Sequence, residues 1–526
     1  MKKTFFSRNG IYIACFILFC TSILLLSLRG INGNPHGQDL LMPIWRENGP
    51  FELSPERGRF ALMYSIIEDK SLSFSKYVAE FAAPDVGINN GKYVSLFAPA
   101  LSYLIIPGYI IGKMFGSSQM GTFAMISIFA IINMIILRKI ALNLGANKLA
   151  ASVSSLVFLF ATPAYAYAVN LYQHHVSTFL MLLSIYALLK FKKTFALLTV
   201  FFVFAASIPL DYPNIFFISP LAIFAGLQIF SFKNLRKKMT IKFNILMSLT
   251  LLVMIIPISF FMWFNKESYG NPFQLSGTVQ SADFNEDFKQ QVEKDIKNDP
   301  YLEAVNPEKD ENGKSAFGFF KTRNLVEGFY ILFVSPDRGI IYYTPIMLFG
   351  LIGMLLAYKS KIKLYPVLCA VIFMNILLYS MWGDPWGGWA FGSRYLIPSY
   401  AILSIFIALL LTYWKKNYIF LILFSIVAIY SIFVNTLGAI TTSALPPQVQ
   451  VLHLEELSGM VQKYTYERNW DMLVSGHSKS FVYQTYLEEY LTATQFYFVL
   501  ASSITLLYVV LIVFLYINYR KKNEVT

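Results

Sequence analysis

The sequence predicts an all-α membrane protein whose chain crosses the bilayer many times. Three observations support this fold class. The chain of 526 residues is 56% hydrophobic and only 14% charged, whereas soluble domains carry about 25% charged residues. Apolar runs recur along it, and runs of about 18 or more residues are long enough to cross roughly 30 Å of hydrocarbon. The cations gather in short connections between these runs, as the positive-inside rule expects of cytoplasmic loops.

The basic connections predict which ends of the spans are cytoplasmic. They alternate with connections that carry few cations, and both termini are expected in the cytoplasm. Because the net charge of +13 is explained by these connections, it does not indicate nucleic-acid binding. The basic connections are Lys2/Lys3/Arg8, Arg138/Lys139/Lys148, Lys190/Lys192/Lys193, Lys233/Arg236/Lys237/Lys238, Lys359/Lys361/Lys363, Lys415/Lys416 and Arg520/Lys521/Lys522.

The first apolar run is predicted to be a retained span, because "SLRGINGN" offers no clear small-x-small cleavage site. Cys15, Cys20 and Cys369 all lie within apolar runs, so no disulfide framework is predicted. About twelve spans are expected in all. They lie near 11–28, 119–137, 150–167, 174–190, 194–210, 214–231, 243–264, 339–358, 364–382, 396–413, 418–436 and 495–517.

The apolar segment 96–116 is not counted as a span. The next run ends at Arg138 and Lys139, so if both segments crossed, these cations would lie outside and every later loop would invert. Pro99 and Pro107 also interrupt helical continuity. We therefore expect a juxtamembrane or re-entrant segment on the outer side, sheltered by other helices as irregular backbone must be.

These spans divide the chain into three regions. Residues 1–436 form one transmembrane module, with a first outer loop at 29–118 and a polar outer loop at 265–337. Residues 437–494 form an extracytoplasmic loop region. Residues 495–526 form the final span and a basic cytoplasmic tail.

The stretch "SPERGRFALMYSIIEDKSL", Ser54 to Leu72, concentrates charge in the first outer loop. A helix over 56–72 is predicted, since Ser54 can cap it and Pro55 marks its start. We expect it on the membrane surface, its stripe against lipid or other helices and Glu56 one turn from Arg59. Alternatively, Glu56 only stabilises the amino end of a surface helix. The apolar stripe is Phe60, Met63, Tyr64 and Ile67.

Other polar groups are expected at the same outer face. Ionisable residues at span ends are often functional, although interface anchoring is the commoner explanation. An arginine fork suits a phosphate, a carboxylate can deprotonate a hydroxyl or amine, and Trp faces suit sugars, although aromatic belts have the same composition. The candidates are His174, His175, Asp211, Asp337, Arg338, Asp384, Trp386, Trp389 and Arg394.

The sequence predicts no metal site. His174 and His175 are adjacent rather than four residues apart on a helix, and no Cys/His set has ligand spacing.

Several stretches resemble a known family. "ERGRFALMYSIIEDKSL" and "NNGKYVSLFAPALSYLIIPGYIIGKMFG" resemble the first outer loop of the GT-C superfamily of membrane glycosyltransferases. The resemblance is to the branch containing protein O-mannosyltransferases and lipid A aminoarabinose transferases. That loop has an acid-x-x-Arg/Tyr-x-Ala helix, a G-x-x-Y turn and a Lys-Pro-Pro-like segment before a juxtamembrane helix. Over roughly residues 10–415, "HHVSTFLML", "LDYPN", "SPDRGIIYYTP" and "WGGWAFGSRYLIP" resemble segments of prokaryotic relatives.

The resemblance implies a GT-C-like bundle and a hexosyl- or pentosyltransferase of inverting mechanism in the cytoplasmic membrane. The donor would be a polyprenyl-phosphate sugar and the acceptor an extracytoplasmic lipid, glycan or protein, with no cofactor, metal or nucleic acid. Glu56 would be the catalytic base and Asp85 its rival, although Asp85 also fits a turn before Gly87. The resemblance implies Arg394 as the main lipid-phosphate ligand, with Arg338 and Lys92 weaker. Together with the polar groups at the outer face, the predicted substrate-binding residues are Arg59, Lys92, Tyr93, His175, Asp211, Arg338, Asp384, Trp389 and Arg394.

This chain departs from the family pattern at two positions. Glu56 stands where Asp is more usual, and Phe97 stands where a Lys precedes the prolines.

Two other functions stay open. A transporter or flippase of a lipid-linked substrate predicts ionisable residues near the bilayer midplane and paired broken helices in two halves. Here the ionisable residues lie at outer span ends instead. A non-catalytic envelope protein on the same fold is the third possibility. Substrate-dependent release of free polyprenyl phosphate would distinguish an enzyme from such a scaffold.

Overall fold

The computed structural model describes residues 8–46, 49–235, 238–282, 318, 320–360, 362–459 and 461–523. Within these ranges helices dominate, which confirms the all-α class, and the strands form two short antiparallel hairpins. The predicted polar loop includes 283–317, and the predicted basic connections include Lys2, Lys3, Arg236, Lys237 and Lys361; these residues lie outside the described ranges.

The helices follow the order of the predicted apolar runs along the described ranges. The α-helices are α1 (Arg8–Ser27), α2 (Ser54–Tyr64), α3 (Lys76–Ala82), α4 (Ala100–Leu104), α5 (Ile106–Met114), α6 (Ser118–Asn143), α7 (Lys148–Phe160), α8 (His174–Lys190), α9 (Lys193–Ser207), α10 (Asn214–Leu227), α11 (Ile245–Ser248), α12 (Ile255–Tyr269), α13 (Leu325–Phe333), α14 (Ile340–Tyr343), α15 (Met347–Ala357), α16 (Tyr365–Ser380), α17 (Ile397–Trp414), α18 (Tyr418–Ile440), α19 (Gln448–Ser458), α20 (Glu467–Val474) and α21 (Ala493–Asn523).

Shorter elements connect these helices. The hairpins pair β1 (Val86–Asn89) with β2 (Lys92–Ser95) and β3 (Phe230–Leu235) with β4 (Lys238–Phe243). The π-helical turns are Ser65–Asp69 and Tyr483–Leu487, and the 3-10 turns are Gly37–Leu41, Pro43–Trp45, Ala166–Ala168, Leu249–Met254, Ser276–Thr278, Thr322–Asn324, Tyr358–Ser360 and Arg394–Leu396.

Among the described residues, six helical segments are long and apolar enough to cross a membrane. Five further apolar helices, α7, α9, α10, α15 and α16, are shorter. The chain is therefore an integral, multi-pass membrane protein, while the count of about twelve spans stays a prediction. The six long segments are Gly10–Ser27, Ser118–Asn143, Ile245–Tyr269, Arg394–Trp414, Tyr418–Ile440 and Ala493–Asn518.

Two predicted spans are interrupted by proline. The run 150–167 is helical only to Phe160, because Pro163 disfavours helical backbone at the residue before it. Thr162 instead turns its hydroxyl back to the carbonyl of Phe158 at 2.7 Å. The run 339–358 breaks between α14 and α15 around Pro345. The prediction of one continuous helix is wrong in both places.

The segment 96–116 is broken into α4 and α5, as predicted, and α5 folds back along α6. Glycines make this close approach possible, since a Cβ added at Gly121 would lie 2.0 Å from the carbonyl oxygen of Gly108. Gly112 faces the same part of α6, where a Cβ would lie 3.0 Å from the Gly121 backbone. Its position relative to the bilayer stays a prediction.

Helix α2 differs from the expected surface helix. It ends at Tyr64, followed by the π-helical turn Ser65–Asp69, and every residue from Glu56 to Tyr64 is buried. Phe60 packs against Phe51, with ring centroids 4.6 Å apart. The predicted single helix over 56–72 is therefore wrong in its end and its exposure. Of the two predicted neighbours of its apolar stripe, lipid or other helices, the structure shows packing within the protein, because α2 belongs to an apolar core that the first outer loop shares with other helices.

The predicted cap of this helix is also wrong. Ser54 is the first helical residue rather than the cap, and its hydroxyl donates to Asp85 Oδ2 at 2.5 Å. The amino end is closed from inside the helix instead, since the N–H of Leu53 donates to Glu56 Oε2 at 3.3 Å. This bond fixes the rotamer of the predicted catalytic acid.

The contact between α5 and α6 gives a first prediction. Gly121→Ala should lower the free energy of unfolding by about 1–3 kcal/mol, because the new methyl group would clash with the Gly108 backbone. Gly226→Ala is the control, since a Cβ there meets nothing within 4 Å. Thermal unfolding in detergent measures both; equal midpoints would contradict the described contact.

Candidate functional site

Tyr172 lies between two arginines that are far apart in the sequence. The Cζ atom of Arg59, on α2, is 5.8 Å from the centre of the Tyr172 ring, and the Cζ atom of Arg394, just before α17, is 4.9 Å from it. The exposed fraction is 1% for the tyrosine, 6% for Arg59 and 9% for Arg394. Buried cation–π contacts of this kind stabilise a charge that has lost its water. The first outer loop, through Arg59, therefore meets the turn at 383–394, through Arg394. This turn carries Trp386 and Trp389 and is named here the Trp-rich turn.

A chain of hydrogen bonds extends from Arg59 to Asp211. Arg59 Nη2 donates to Gln173 Oε1 at 2.7 Å, and Gln173 Nε2 donates to Asp211 Oδ2 at 2.9 Å. Burial raises the pKa of Asp211, while the bond from Gln173 and the charge of Arg59 oppose that shift. Gln173 thus ties the start of α8 to both predicted residues.

The guanidinium of Arg394 has N–H groups without well-oriented hydrogen-bond acceptors among the described residues. Its Nη2 donates to the carbonyl of Gly387 at 2.5 Å, and the hydroxyls of Tyr172 and Tyr395 lie close to the guanidinium, but within the described part of the chain Nε and Nη1 meet no acceptor with good hydrogen-bond geometry. Gly387 and Gly388 have φ of +74° and +62°, so the turn that presents this carbonyl favours glycine. A buried guanidinium with unmet N–H groups is unfavourable. Those groups are suited to an anionic ligand.

Glu56 is a buried acid with an unpaired acceptor oxygen. Its exposed fraction is 0%, and its Oε1 has no hydrogen-bond partner among the described residues. Burial raises the pKa of Glu56 to about 7; Arg29 and the backbone N–H groups of Leu53 and Leu171 oppose the shift, and the charge of Glu52 adds to it. An acid with a pKa near neutrality can both accept and release a proton at physiological pH.

His174 also faces this group, although the predicted substrate-binding residues included His175 instead. Its ring stacks on Tyr172 at 5.9 Å and meets the edges of the Tyr167 and Tyr395 rings. Its Nε2 lacks a hydrogen-bond partner in the described ranges. We name Glu56, Arg59, Tyr172, Gln173, His174, Asp211 and Arg394 the Tyr172 cluster.

The histidine that the sequence favoured, His175, lies elsewhere. Its Nε2 is 2.7 Å from the carbonyl of Ala164, and its own carbonyl accepts from Asn133 at 2.8 Å. Successive helical residues point about 100° apart, so His174 and His175 face different neighbours once α8 begins. His175 therefore positions the segment before α8 and does not join the Tyr172 cluster.

Arg338 braces the Trp-rich turn rather than facing the cluster. Its guanidinium donates to Asp337 Oδ1 at 2.8 Å and to the carbonyls of Trp386, Gly388 and Leu445 at 3.1, 3.1 and 2.9 Å. These bonds hold the turn that carries Gly387. The arginine thus acts on Arg394 through the backbone of that turn.

Asp384 and Trp389 stabilise the same turn. Asp384 Oδ2 accepts the N–H of Gly388 at 2.5 Å, and Trp389 Nε1 donates to Gln450 Oε1 at 2.8 Å. Neither side chain is brought to Tyr172. Their bonds explain the turn's shape without a ligand.

The remaining predicted residues lie around the β1–β2 hairpin. Asp85 precedes β1 and accepts the Ser54 hydroxyl at the start of α2. Lys92 is exposed and pairs with Asn89 in the hairpin. The carbonyl of Tyr93 accepts the N–H of Phe74 at 2.8 Å. The structure does not place these side chains in the Tyr172 cluster.

In the described ranges, no three His, Cys, Asp or Glu side chains gather as metal ligands would. An apolar cavity of about 170 Å³ lies between α10 and α16 and shares no residue with the Tyr172 cluster. Its lining residues are Phe216, Phe320, Met374, Leu377, Leu378 and Met381. It offers no polar group for chemistry.

The fold and cluster define the class as a multi-span helical membrane protein with a buried acid–arginine site. No family model and no curated protein matches the sequence. Over 96% of its length the chain is similar to the crystal structure of ArnT from Cupriavidus metallidurans, in the apo state (11% identity, 77% of that chain, TM-score 0.45) and bound to undecaprenyl phosphate (12%, 77%, 0.44). It is also similar to the Archaeoglobus fulgidus oligosaccharyltransferase (12% identity, 96% of this chain and 56% of that chain, TM-score 0.37).

The raised pKa of Glu56 predicts a pH-dependent effect on stability. Glu56 ionises in the unfolded chain near the ordinary value of 4.5 but near 7 when folded, so wild-type protein loses stability as pH rises between these values. Glu56→Gln has no charge to bury and should gain at most about 3 kcal/mol over wild type above pH 7. The gain should vanish below the unfolded pKa.

Unfolding midpoints measured in detergent across this pH range check the prediction. Glu489→Gln is the control, because Glu489 is exposed, and it should change little at any pH. A Glu56→Gln difference that is constant with pH would contradict the assigned burial effect.

Proposed function

We propose that the protein is a glycosyltransferase that moves a sugar from a polyprenyl-phosphate carrier to an acceptor outside the cytoplasm. One observation carries the proposal. Arg394, which has unpaired N–H groups, lies over the ring of the buried Tyr172, and Glu56, an acid with an unpaired oxygen, is near enough for its charge to raise the pKa of the same tyrosine. Glycosyl transfer from a lipid phosphate needs these two functions together: a base for the acceptor and a cation for the leaving phosphate.

The residues divide the reaction between them. Glu56 takes the proton from the acceptor's hydroxyl or amine, and the freed electron pair attacks the anomeric carbon of the sugar. The bond between that carbon and the phosphate oxygen breaks, and its electron pair departs with the polyprenyl phosphate. Arg394 donates N–H bonds to the phosphate as this charge develops. Attack opposite the leaving group would invert the anomeric configuration.

Arg59 compensates for the Lys that is missing at Phe97. The Phe97 ring lies 4.8 Å from Arg59 Cζ, and Gly58 makes room for it, since a Cβ at Gly58 would lie 2.6 Å from the ring. Phe97 therefore packs the guanidinium toward Gln173 and Tyr172. We infer that Arg59 provides the second positive charge of the site.

Substrate entry requires a change at the site. Glu56 has no exposed surface, so an acceptor can reach it only after neighbouring side chains have moved. The site is assigned to the extracytoplasmic face because the basic connections are assigned to the cytoplasm. Lid and loop movements that close a site over substrate are common in transferases and hydrolases.

The base is tested by substitution in purified protein supplied with a polyprenyl-phosphate sugar. Glu56→Gln should lower kcat by at least about 100-fold, because general-base catalysis contributes 10²–10⁴-fold. Asp85→Asn should retain transfer, and the exposed Glu489→Gln is the matched control. Release of free polyprenyl phosphate is measured together with the glycosylated product.

Each outcome distinguishes one function. Full activity of both Glu56→Gln and Asp85→Asn would refute the base assignment, and loss of activity only in Asp85→Asn would move the role to Asp85. A wild-type protein that moves the lipid across a vesicle bilayer without breaking the sugar–phosphate bond would be a flippase. Absence of both reactions would support a non-catalytic protein.

The phosphate ligand is tested by binding. Arg394→Gln and Arg394→Lys should each raise the Kd for polyprenyl phosphate by roughly tenfold or more, because hydrogen bonds to charged groups are worth about 1.5–3 kcal/mol and Lys lacks the guanidinium fork. Arg323→Gln, at an exposed arginine, should bind normally. Calorimetric titration in detergent measures all three; unchanged affinity in the Arg394 variants would remove the arginine from the site.

A further inference from the structure

A second buried acid lies four residues before Glu56. Glu52 Oε2 accepts Arg29 Nη1 at 2.7 Å, the N–H of Ser443 at 3.1 Å and the Ser443 hydroxyl at 3.4 Å. Lys479 Nζ is 3.7 Å from its Oε1. These partners come from the end of α1 and from the 437–494 region, so Glu52 joins three distant parts of the chain.

The backbone around Glu52 is fixed as well. Arg57 Nη1 donates to the carbonyls of Phe51 and Glu52 at 3.4 and 3.1 Å, and the N–H of Leu53 donates to Glu56 Oε2. Arg57 and Glu56 are neighbours on the first turn of α2. Any displacement of Glu52 would therefore move the donor that orients Glu56.

The two acids have opposite environments. Burial alone would raise the pKa of Glu52, but Arg29, Lys479 and the bonds from Thr442 and Ser443 lower it below its ordinary value. Burial raises the pKa of Glu56, and the nearby charge of Glu52 raises it further. Two carboxyl groups separated in this way take different roles, one permanently ionised and one able to exchange a proton.

The ion pair of Glu52 is not explained by stability. Arg29 has no exposed surface and also donates to the carbonyl of Gly438 at 3.0 Å. Removing two charges from water is expensive, and a buried ion pair often gains little over apolar residues of the same size. In the reaction proposed above, Glu52 contacts no reacting atom, because its carboxylate is occupied by protein donors.

We propose that Glu52 is a positioning residue for Glu56: held by Arg29 and Ser443, it fixes the Leu53 N–H against Glu56 and supplies the negative charge that keeps Glu56 a strong enough base. This inference rests on the proposed function. It gives the 437–494 region a role in the site, since Ser443 and Lys479 hold Glu52 in place. Glu56 itself experiences the charges of Arg29 and Glu52, Arg59 on its own helix, and Tyr172 before α8.

The sign of the effect follows from these charges. Glu56 acts as a base only when ionised, so kcat/KM rises with pH as Glu56 loses its proton. Glu52→Gln removes a negative neighbour, which makes ionisation easier and should shift this rising limb to lower pH by about half to one pH unit. Arg29→Gln removes a positive neighbour and should shift the limb to higher pH.

The experiment measures kcat/KM against pH for full-length protein with a polyprenyl-phosphate sugar. Glu52→Asp keeps the charge and should restore the wild-type limb even if the rate is lower. Glu68→Gln is the matched control, because Glu68 lies in the same loop and also pairs with a cation, Lys113, at 2.7 Å. The Glu68→Gln variant should show the rise of kcat/KM with pH at the same pH as wild type.

The results separate this inference from the proposed function. If Glu56→Gln is inactive while Glu52→Gln leaves the limb unmoved, the positioning role is wrong and the transferase stands. If Glu56→Gln is active, the base assignment fails first. If Glu52→Gln does not fold, Arg29→Gln tests the proposal instead. The proposal is overturned if the rising limb of kcat/KM against pH in Arg29→Gln stays at the wild-type position or moves to lower pH.

Discussion

The structure depends on the burial of three ionisable side chains in the first turns of α2. Glu56, Arg57 and Arg59 are each at most 6% exposed, and a buried charge must be paired or hydrogen-bonded. The helix itself supplies the carbonyl of Pro55, which accepts Arg59 Nη1 at 2.8 Å, but not the other partners. They come instead from the preceding loop through the carbonyl of Glu52 and from the start of α8 through Gln173. Distant segments meet at α2 because its buried charged side chains need these hydrogen-bond partners.

The second requirement is an irregular segment inside the bundle. Residues 161–173 follow the end of α7 at Phe160, and backbone that is not α-helical must still find hydrogen-bond partners away from water. Here the carbonyl of Ala164 meets His175 Nε2, and the carbonyl of Ala168 accepts the Ser127 hydroxyl. The Tyr167 hydroxyl accepts the N–H of Phe391. Because its backbone is satisfied in this way, the segment can hold Tyr172 between two arginines.

Sequence patterns predicted much of this arrangement. Hydropathy located the helices. Charged residues at the predicted outer face, together with the family resemblance, singled out Glu56, Arg59, Asp211 and Arg394, which the structure places around Tyr172. The pattern could not choose between His174 and His175, since the phase of α8 depends on where the helix begins. The apolar run at 150–167 also conceals that its α-helix ends at Phe160, before Pro163. Tyr172 carried no signal, as aromatic residues near span ends are common in any membrane protein.

The unmet donors of Arg394 are best understood through the rigidity of their surroundings. Arg338 donates to carbonyls on both sides of Gly387, and Asp384 holds the N–H of Gly388. The turn therefore cannot collapse onto the guanidinium to satisfy its remaining N–H groups. Flexible neighbours would relax and close such a site, whereas a braced turn keeps the donors in place until an acceptor arrives. The same reasoning applies to Glu56, whose Oε2 is fixed by Leu53 while Oε1 stays unpaired. Preorganised groups of opposite charge, each held by its own supporting shell, lower the barrier because no reorganisation is needed when charge develops.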